Sequence, residues 1–250
     1  MQTQTVPVSD LYGPYSLTVA ADDHIGKEIL RTGRPYEYRL LRLTASLISP
    51  GDLVVDVGAN IGNHALSYSR HGCRVLALEP NPDAFEILRQ NACRNVGDID
   101  PRNVAVSRQA GRGSVRVRIP GNLGSAAVNV DAAGQVEVTT VDRLNVRAPR
   151  LMKIDVEGAE LAVLEGSVET LRRWHPAIVV ELQSKEVKQA VKKFLSTLGY
   201  SWLPVSLSGE PTFLFSVARR DLARVARQPM FWAHAVRRGG SRVRHMRNRS

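Results

Sequence analysis

The chain contains only two cysteines, Cys73 and Cys93, which argues against a disulfide framework and against a cysteine-built metal centre. No apolar run approaches the roughly 20 residues that a membrane-spanning helix needs. Met1-Gln2-Thr3-Gln4-Thr5 offers neither the basic start nor the apolar stretch of a secretory signal. No segment repeats. These absences leave a reducing, cytoplasmic setting as the expectation, and 250 residues are enough to bury a full core.

Positive charge is present but unevenly placed. The formal net charge is +10, yet ten arginines and a single acid, Asp221, fall between Arg219 and Ser250. Residues 1–218 are left with 24 basic and 23 acidic side chains, so the basic character belongs to the C-terminal segment.

Residues 1–50 read as a helical lead-in or lid, with Ile29, Leu30, Leu40, Leu41, Leu43 and Leu47 at broadly helical spacing before the break at Ser49-Pro50-Gly51-Asp52. Strand and helix patterns alternate after that break, as in the βαβ units of a mostly parallel sheet. The expected strands are Leu53–Val57, Arg74–Leu78, Asn103–Ser107, Leu151–Ile154 and Ala177–Val180. Ser114–Ile119 and Gln135–Thr140 suggest an inserted hairpin, and Tyr200–Leu207 with Thr212–Val217 a terminal one. Asn81 and Ser184 are placed to cap the helices that follow them.

Asp56-Val57-Gly58-Ala59-Asn60-Ile61-Gly62 lies where the first of these strands turns into a helix. Glycines there allow a tight turn and a close approach to a ligand. An acid stands where the dinucleotide pattern has its first glycine. A pyrophosphate would be repelled by it, whereas the cationic methionine end of S-adenosylmethionine would be attracted. Glu79 ends the second strand, near the spacing of roughly 20 residues expected of an acid that accepts hydrogen bonds from a ribose diol. Gly58, Ala59, Asn60 and Gly62, with Asp56, Glu79, Pro80 and Asn81, are therefore the candidate cofactor-binding residues.

Three blocks resemble the signatures of FkbM-family methyltransferases. They are Val54–Gly62, Leu78-Glu79-Pro80-Asn81 and Lys153-Ile154-Asp155-Val156-Glu157-Gly158-Ala159-Glu160, within a stretch from about Gly51 to Glu181. The resemblance implies an α/β, Rossmann-like class I methyltransferase fold: a mostly parallel seven-stranded sheet with a terminal antiparallel hairpin, here over residues 51–218. It also implies S-adenosylmethionine as methyl donor and a hydroxyl on a sugar, glycan or natural product as acceptor.

Asp155, Glu157 and Glu160 crowd a helix start, where acids also serve as simple caps. Asp155 and Glu181 end neighbouring strands at the carboxyl edge, as a base with its partner or as ligands of Mg²⁺. Asp155, Glu157, Glu181 and His64 are the catalytic candidates, with Asp23, His24, Tyr36 and Glu37 as candidates for a substrate lid.

A nucleic-acid methyltransferase is the rival enzyme, suggested by the arginines. The residues after the Leu151–Ile154 strand do not form the Asp/Asn-Pro-Pro-aromatic motif of base-amino methylation, and neither cysteine is placed as a nucleophile. A non-catalytic module for nucleotides or anionic surfaces is the other alternative. Residues 219–250 read as a basic tail, either a disordered appendage or an anchor to an anionic membrane surface through Met230-Phe231-Trp232 and the arginines beside them.

Overall fold

The computed structural model describes residues 2–205 and 211–228. In chain order its elements are β1 (Thr3–Asp10), β2 (Gly13–Ala20), α1 (His24–Thr32), α2 (Tyr38–Ala45), β3 (Leu53–Val57), α3 (Asn63–Arg70), β4 (Arg74–Leu78), α4 (Pro82–Arg94) and β5 (Asp98–Arg102). An insertion follows with β6 (Val104–Val106), β7 (Gly111–Val117), β8 (Ala126–Val130) and β9 (Val136–Thr139). The chain closes with β10 (Pro149–Ile154), α5 (Glu160–Glu165), α6 (Val168–Trp174), β11 (Ala177–Glu181), α7 (Lys185–Thr197), β12 (Ser201–Pro204), β13 (Thr212–Ser216) and α8 (Arg219–Ala226).

The described strands make one seven-stranded sheet in the order β12-β13-β11-β10-β3-β4-β5, with β13 antiparallel to its neighbours. Period-two burial explains why this sheet takes helices on both faces. Val54, Leu151 and Val179 turn to the side covered by α2, α3 and α8, while Val55, Met152 and Val180 turn to the side covered by α5, α6 and α7. From β3 the chain first moves outward to β4 and β5, then returns to place β10 on the other flank of β3. That reversal opens a crevice beyond the carboxyl ends of β3 and β10, the place where open α/β sheets bind ligands.

The structure corrects several expectations. The lead-in is not all helix: β1 and β2 pair as an antiparallel hairpin, with Val6, Val8, Tyr15, Leu17 and Val19 buried in alternation. The helical pattern after it is split, because Gly33 takes a left-handed conformation, φ 63°, closes α1 through its N–H to the Ile29 carbonyl, and Pro35 follows. The strand expected at Asn103–Ser107 belongs instead to a four-stranded side sheet, order β6-β9-β7-β8. The third core strand is Asp98-Ile99-Asp100-Pro101-Arg102, an edge strand whose half-exposed, polar residues carry no apolar run and which tolerates a proline. Between β10 and β11 the chain forms two helices, broken at Gly166, where a side chain would meet the Ser107 carbonyl at 2.1 Å.

Residues 219–228, read from the sequence as the start of the basic tail, pack on the domain. Helix α8 packs on the domain through buried Val225, and buried Asp221 receives Arg150 in a two-pronged ion pair at 2.7 and 3.1 Å plus the Ser216 hydroxyl at 2.9 Å. Arg224 donates to the Ser46 carbonyl at 2.8 Å. Residues 219–228 are therefore part of the domain. Met230-Phe231-Trp232 and the arginines beyond lie outside the described residues.

Asn91 holds the hairpin, α4 and the glycine loop together. Fully buried, its Oδ1 accepts from the Thr18 amide at 2.7 Å, and its Nδ2 donates to the Thr18 and Ile61 carbonyls at 2.9 and 2.8 Å. Asn91→Leu leaves three backbone groups without partners and should cost about 3 kcal/mol or more in denaturant unfolding. A loss below about 1 kcal/mol would show that Asn91 is not the tie described here.

Candidate functional site

Four loops converge on the crevice. Gly58 and Asn60 follow β3, Glu79 and Pro80 follow β4, Asp155 and Glu157 follow β10, and Glu181 ends β11. The opposite wall comes from the lead-in, through His24, Tyr36 and Glu37, and from the insertion, through Arg118 and the stretch from Asn122 to Ala126. Together they enclose a cleft of about 350 Å³.

The glycine loop owes its path to local sterics. Gly58 has φ 78°, and a Cβ there would stand 1.9 Å from the Asp155 carbonyl oxygen, so only glycine lets the β3 and β10 loops touch. Gly58 and Ala59 donate their N–H groups to the Leu78 carbonyl at 2.9 and 3.1 Å, and Gly62 packs against Leu88 of α4. Asn60, with φ 50°, donates its amide to Glu79 Oε2 at 2.7 Å, and the Asn81 amide donates to Oε1 at 2.8 Å. Asn81 also caps α4 through Asp83. The structure thus puts Gly58, Asn60, Glu79 and Pro80 on the cleft wall and sets Asp56, Ala59, Gly62 and Asn81 behind it as support.

Asp56 and Lys153 are register partners on adjacent strands and face the same side. The Lys153 ammonium lies 3.4 Å from Asp56 and 3.2 Å from Asp155, and donates to the Gly58 carbonyl at 3.2 Å. Asp56 is 0% exposed, whereas the Asp155 side chain is 45% exposed at the cleft. Burial opposes the charge on Lys153, but the Asp155 and Asp56 carboxylates outweigh it and hold the ammonium protonated above its ordinary range.

The remaining candidates separate. Glu157 lines the cleft and pairs with Arg118 at 3.1 Å, and Glu181 lines it and accepts from the Gln183 amide at 2.9 Å. Glu160 is buried and folds back on the Gly158 amide at 3.0 Å, a capping role. His64 is buried beneath the cleft, 3.5 Å from Glu37 Oε2, and burial, with Lys153, pushes its ring well below the ordinary histidine range. It is not among the residues that line the cleft. The metal reading of Asp155 and Glu181 gains no support. Among the described residues no group of three or more His, Cys, Asp or Glu side chains converges to hold an ion, and Asp155 already faces the Lys153 ammonium.

The Methyltransferase FkbM domain matches residues 56–202, more than half of the chain. This chain belongs to the FkbM methyltransferase family. The hexuronic acid methyltransferase AglP of Haloferax volcanii is 30% identical over 189 residues, covering 74% of this chain and 78% of AglP. The 31-O-demethyl-FK506 methyltransferase FkbM of Streptomyces tacrolimicus is 34% identical over 159 residues, covering 48% of this chain and 60% of that protein. The crystal structure of a methyltransferase FkbM from Methylobacillus flagellatus superposes with a TM-score of 0.50 at 18% identity, covering 68% of this chain and 44% of that one. The fold is the Rossmann-like class I methyltransferase fold, and S-adenosylmethionine is the donor expected of such a family member. Among the described residues no helix is long and apolar enough to cross a membrane.

The cleft suits that donor. Glu79, 5% exposed, keeps lone pairs beyond the two it gives to backbone amides, as a ribose diol requires. Asn60 adds a buried Oδ1 with no hydrogen-bond partner among the described residues. The sequence pointed to the glycine loop and Glu79 but to no role for Lys153 or for the insertion wall. A lysine inside the buried run Leu151-Met152-Lys153-Ile154 was the available signal, since a buried charge demands a partner.

Burial pushes the Glu79 carboxyl up to about 7, against the opposing pull of the Asn81 and Asn60 amides and of Lys153. A ribose diol donates to the ionised form, so binding must deprotonate any Glu79 still carrying a proton. Affinity for S-adenosylhomocysteine should therefore rise about tenfold from about pH 6 to about pH 8, then level off. Calorimetry checks this. In Glu79→Gln the pH dependence should flatten and binding weaken by about 1.5–3 kcal/mol. A wild-type affinity that ignores pH would remove Glu79 from the ribose site.

Proposed function

We propose that this chain transfers the methyl group of S-adenosylmethionine to a hydroxyl oxygen on a saccharide or natural product. One observation carries the reading. Asp155, Glu157 and Glu181 line the same cleft as Gly58, Asn60 and Glu79, so carboxylates for the acceptor adjoin the nucleoside-binding wall. The names of AglP and FkbM, one directed to a hexuronic acid and the other to 31-O-demethyl-FK506, support the acceptor class.

When bound, S-adenosylmethionine supplies a methyl group already activated toward a nucleophile by its sulfonium. Glu79 and the glycine loop fix the donor's orientation. Asp155, held by Lys153, and Glu181 hold the acceptor hydroxyl toward the donor, and this positioning provides much of the rate. α1, the Tyr36-Glu37 segment and the insertion wall the side of the cleft opposite the sheet edge. Nucleic acid is the weaker acceptor reading, because the cleft presents carboxylates where phosphates would have to pass.

The test offers S-adenosylmethionine with neutral saccharides, uronic acid-containing glycans, polyhydroxylated small molecules and transfer RNA. Release of S-adenosylhomocysteine and a one-methyl mass gain on the product are the readouts. A hydroxyl acceptor should be methylated and RNA should not. Asp155→Asn and Glu181→Gln should lower kcat by about tenfold or more while leaving S-adenosylhomocysteine affinity unchanged. Methylation of RNA alone, or full turnover in both variants, would defeat the proposal.

A further inference from the structure

Two consecutive residues at the start of α3 grip two consecutive residues of the lead-in. Asn63 Oδ1 accepts from the Tyr36 amide at 2.9 Å, and its Nδ2 donates back to the Tyr36 carbonyl at 3.0 Å. Next in sequence, His64 brings Nε2 to 3.5 Å from Glu37 Oε2, with both side chains only 5% exposed. The clasp therefore joins the glycine loop, which α3 continues, to the segment that walls the acceptor side.

Glu37 is held in an unusual way. Its backbone is left-handed, φ 54° and ψ 35°, a conformation that costs a non-glycine residue energy and needs surrounding contacts to persist. It stands at the N-cap of α2, where an acid would ordinarily bond the first amides, yet its side chain makes no such cap. Asp23, Asn81 and Ser184 do cap their helices. Glu37 instead lines the cleft, with its carboxylate 3.5 Å from His64. There it shares the main wall with Asp155 and Glu181, and a narrow crevice with them and Lys153. Beside it Tyr36 and His24 stand edge to face, ring centroids 5.9 Å apart, and both line the cleft. An aromatic surface next to a buried carboxylate suits the apolar face and hydroxyl edge of a sugar ring.

Resting on the acceptor reading above, we infer that Glu37 is the carboxylate that takes the proton of the acceptor hydroxyl, with His64 and Asn63 as its positioning residues. As the hydroxyl oxygen bonds the methyl carbon, its O–H bond breaks and the proton passes to Glu37. The electron pair of the breaking carbon–sulfur bond stays on sulfur, giving an ether, a thioether and a protonated Glu37. That proton leaves to solvent through the cleft once the products depart.

Two measurements on the full chain test this. With S-adenosylhomocysteine bound, ¹⁵N spectra of the histidine rings, assigned with His64→Gln, should show His64 as a neutral ring. Its signals should move in Glu37→Gln and stay in place in Asp155→Asn. On a hydroxyl acceptor methylated by the wild type, Glu37→Gln should lower kcat by about 100-fold or more with unchanged S-adenosylhomocysteine affinity. His64→Gln, which keeps a donor, should retain more kcat than His64→Leu at similar KM. Wild-type kcat in Glu37→Gln, or His64 signals indifferent to that substitution, would overturn the inference alone. A wild-type enzyme inert on every hydroxyl acceptor would overturn the acceptor reading, and the inference with it.

Discussion

The ammonium of Lys153 lies 3.4 Å from Asp56 and 3.2 Å from Asp155, and the carboxyl edge of the sheet depends on it. Register puts Lys153 directly beside Asp56, so the two must meet, and burial leaves no water to screen either charge. Removing one member of a buried pair of this kind costs about 3–5 kcal/mol, because the remaining charge is left uncompensated. The same ammonium bonds the Gly58 carbonyl and so sets the loop that approaches the donor. The glycine loop and Asp155 thus share a single counterion. A shift of β10 relative to β3 would be felt at both.

The cleft is completed by chain that the central sheet does not contain. Asp23 caps α1 with one oxygen and with the other accepts from the Leu123 amide at 2.7 Å, tying the lead-in to an insertion a hundred residues away. It is buried, so water does not compete for that tie. Arg118 and Glu157 form another attachment of the insertion, at 3.1 Å, but both are partly exposed. Solvent screening makes such a pair worth about 1 kcal/mol or less. The roof is therefore firmly anchored beside the lead-in and weakly latched over the β10 loop.

Local chemistry was readable in the sequence wherever it was sufficient. The Asp56–Gly62 turn, the Asn81 and Ser184 caps and the strands β3, β4, β10 and β11 each carry their cause within a few residues. Features settled by distant contacts were not. Edge strand β5 holds to the core through Ile99 alone among its five residues and shows no apolar run, and β6 is drawn into the side sheet by pairing with β9. The helical spacing of the lead-in was real for α1 and α2, whereas the alternation at Val6, Val8, Tyr15, Leu17 and Val19 marked a hairpin ahead of them. His64 was legible as a histidine near the glycine loop, but its burial under Glu37 follows only from how α2 packs on α3.

Charge placement separates the cleft from the chain as a whole. The protein carries +10, yet Glu37, Glu79, Asp155, Glu157 and Glu181 line the cleft against a single guanidinium, Arg118, among the described residues. Clefts walled by low-dielectric protein concentrate such fields. Such a wall favours a cationic donor over a polyphosphate. On the acceptor reading proposed above, a neutral hydroxyl meets the wall without a charge penalty, and the carboxylate of a uronic acid has Arg118, already held by Glu157, as its counterpart.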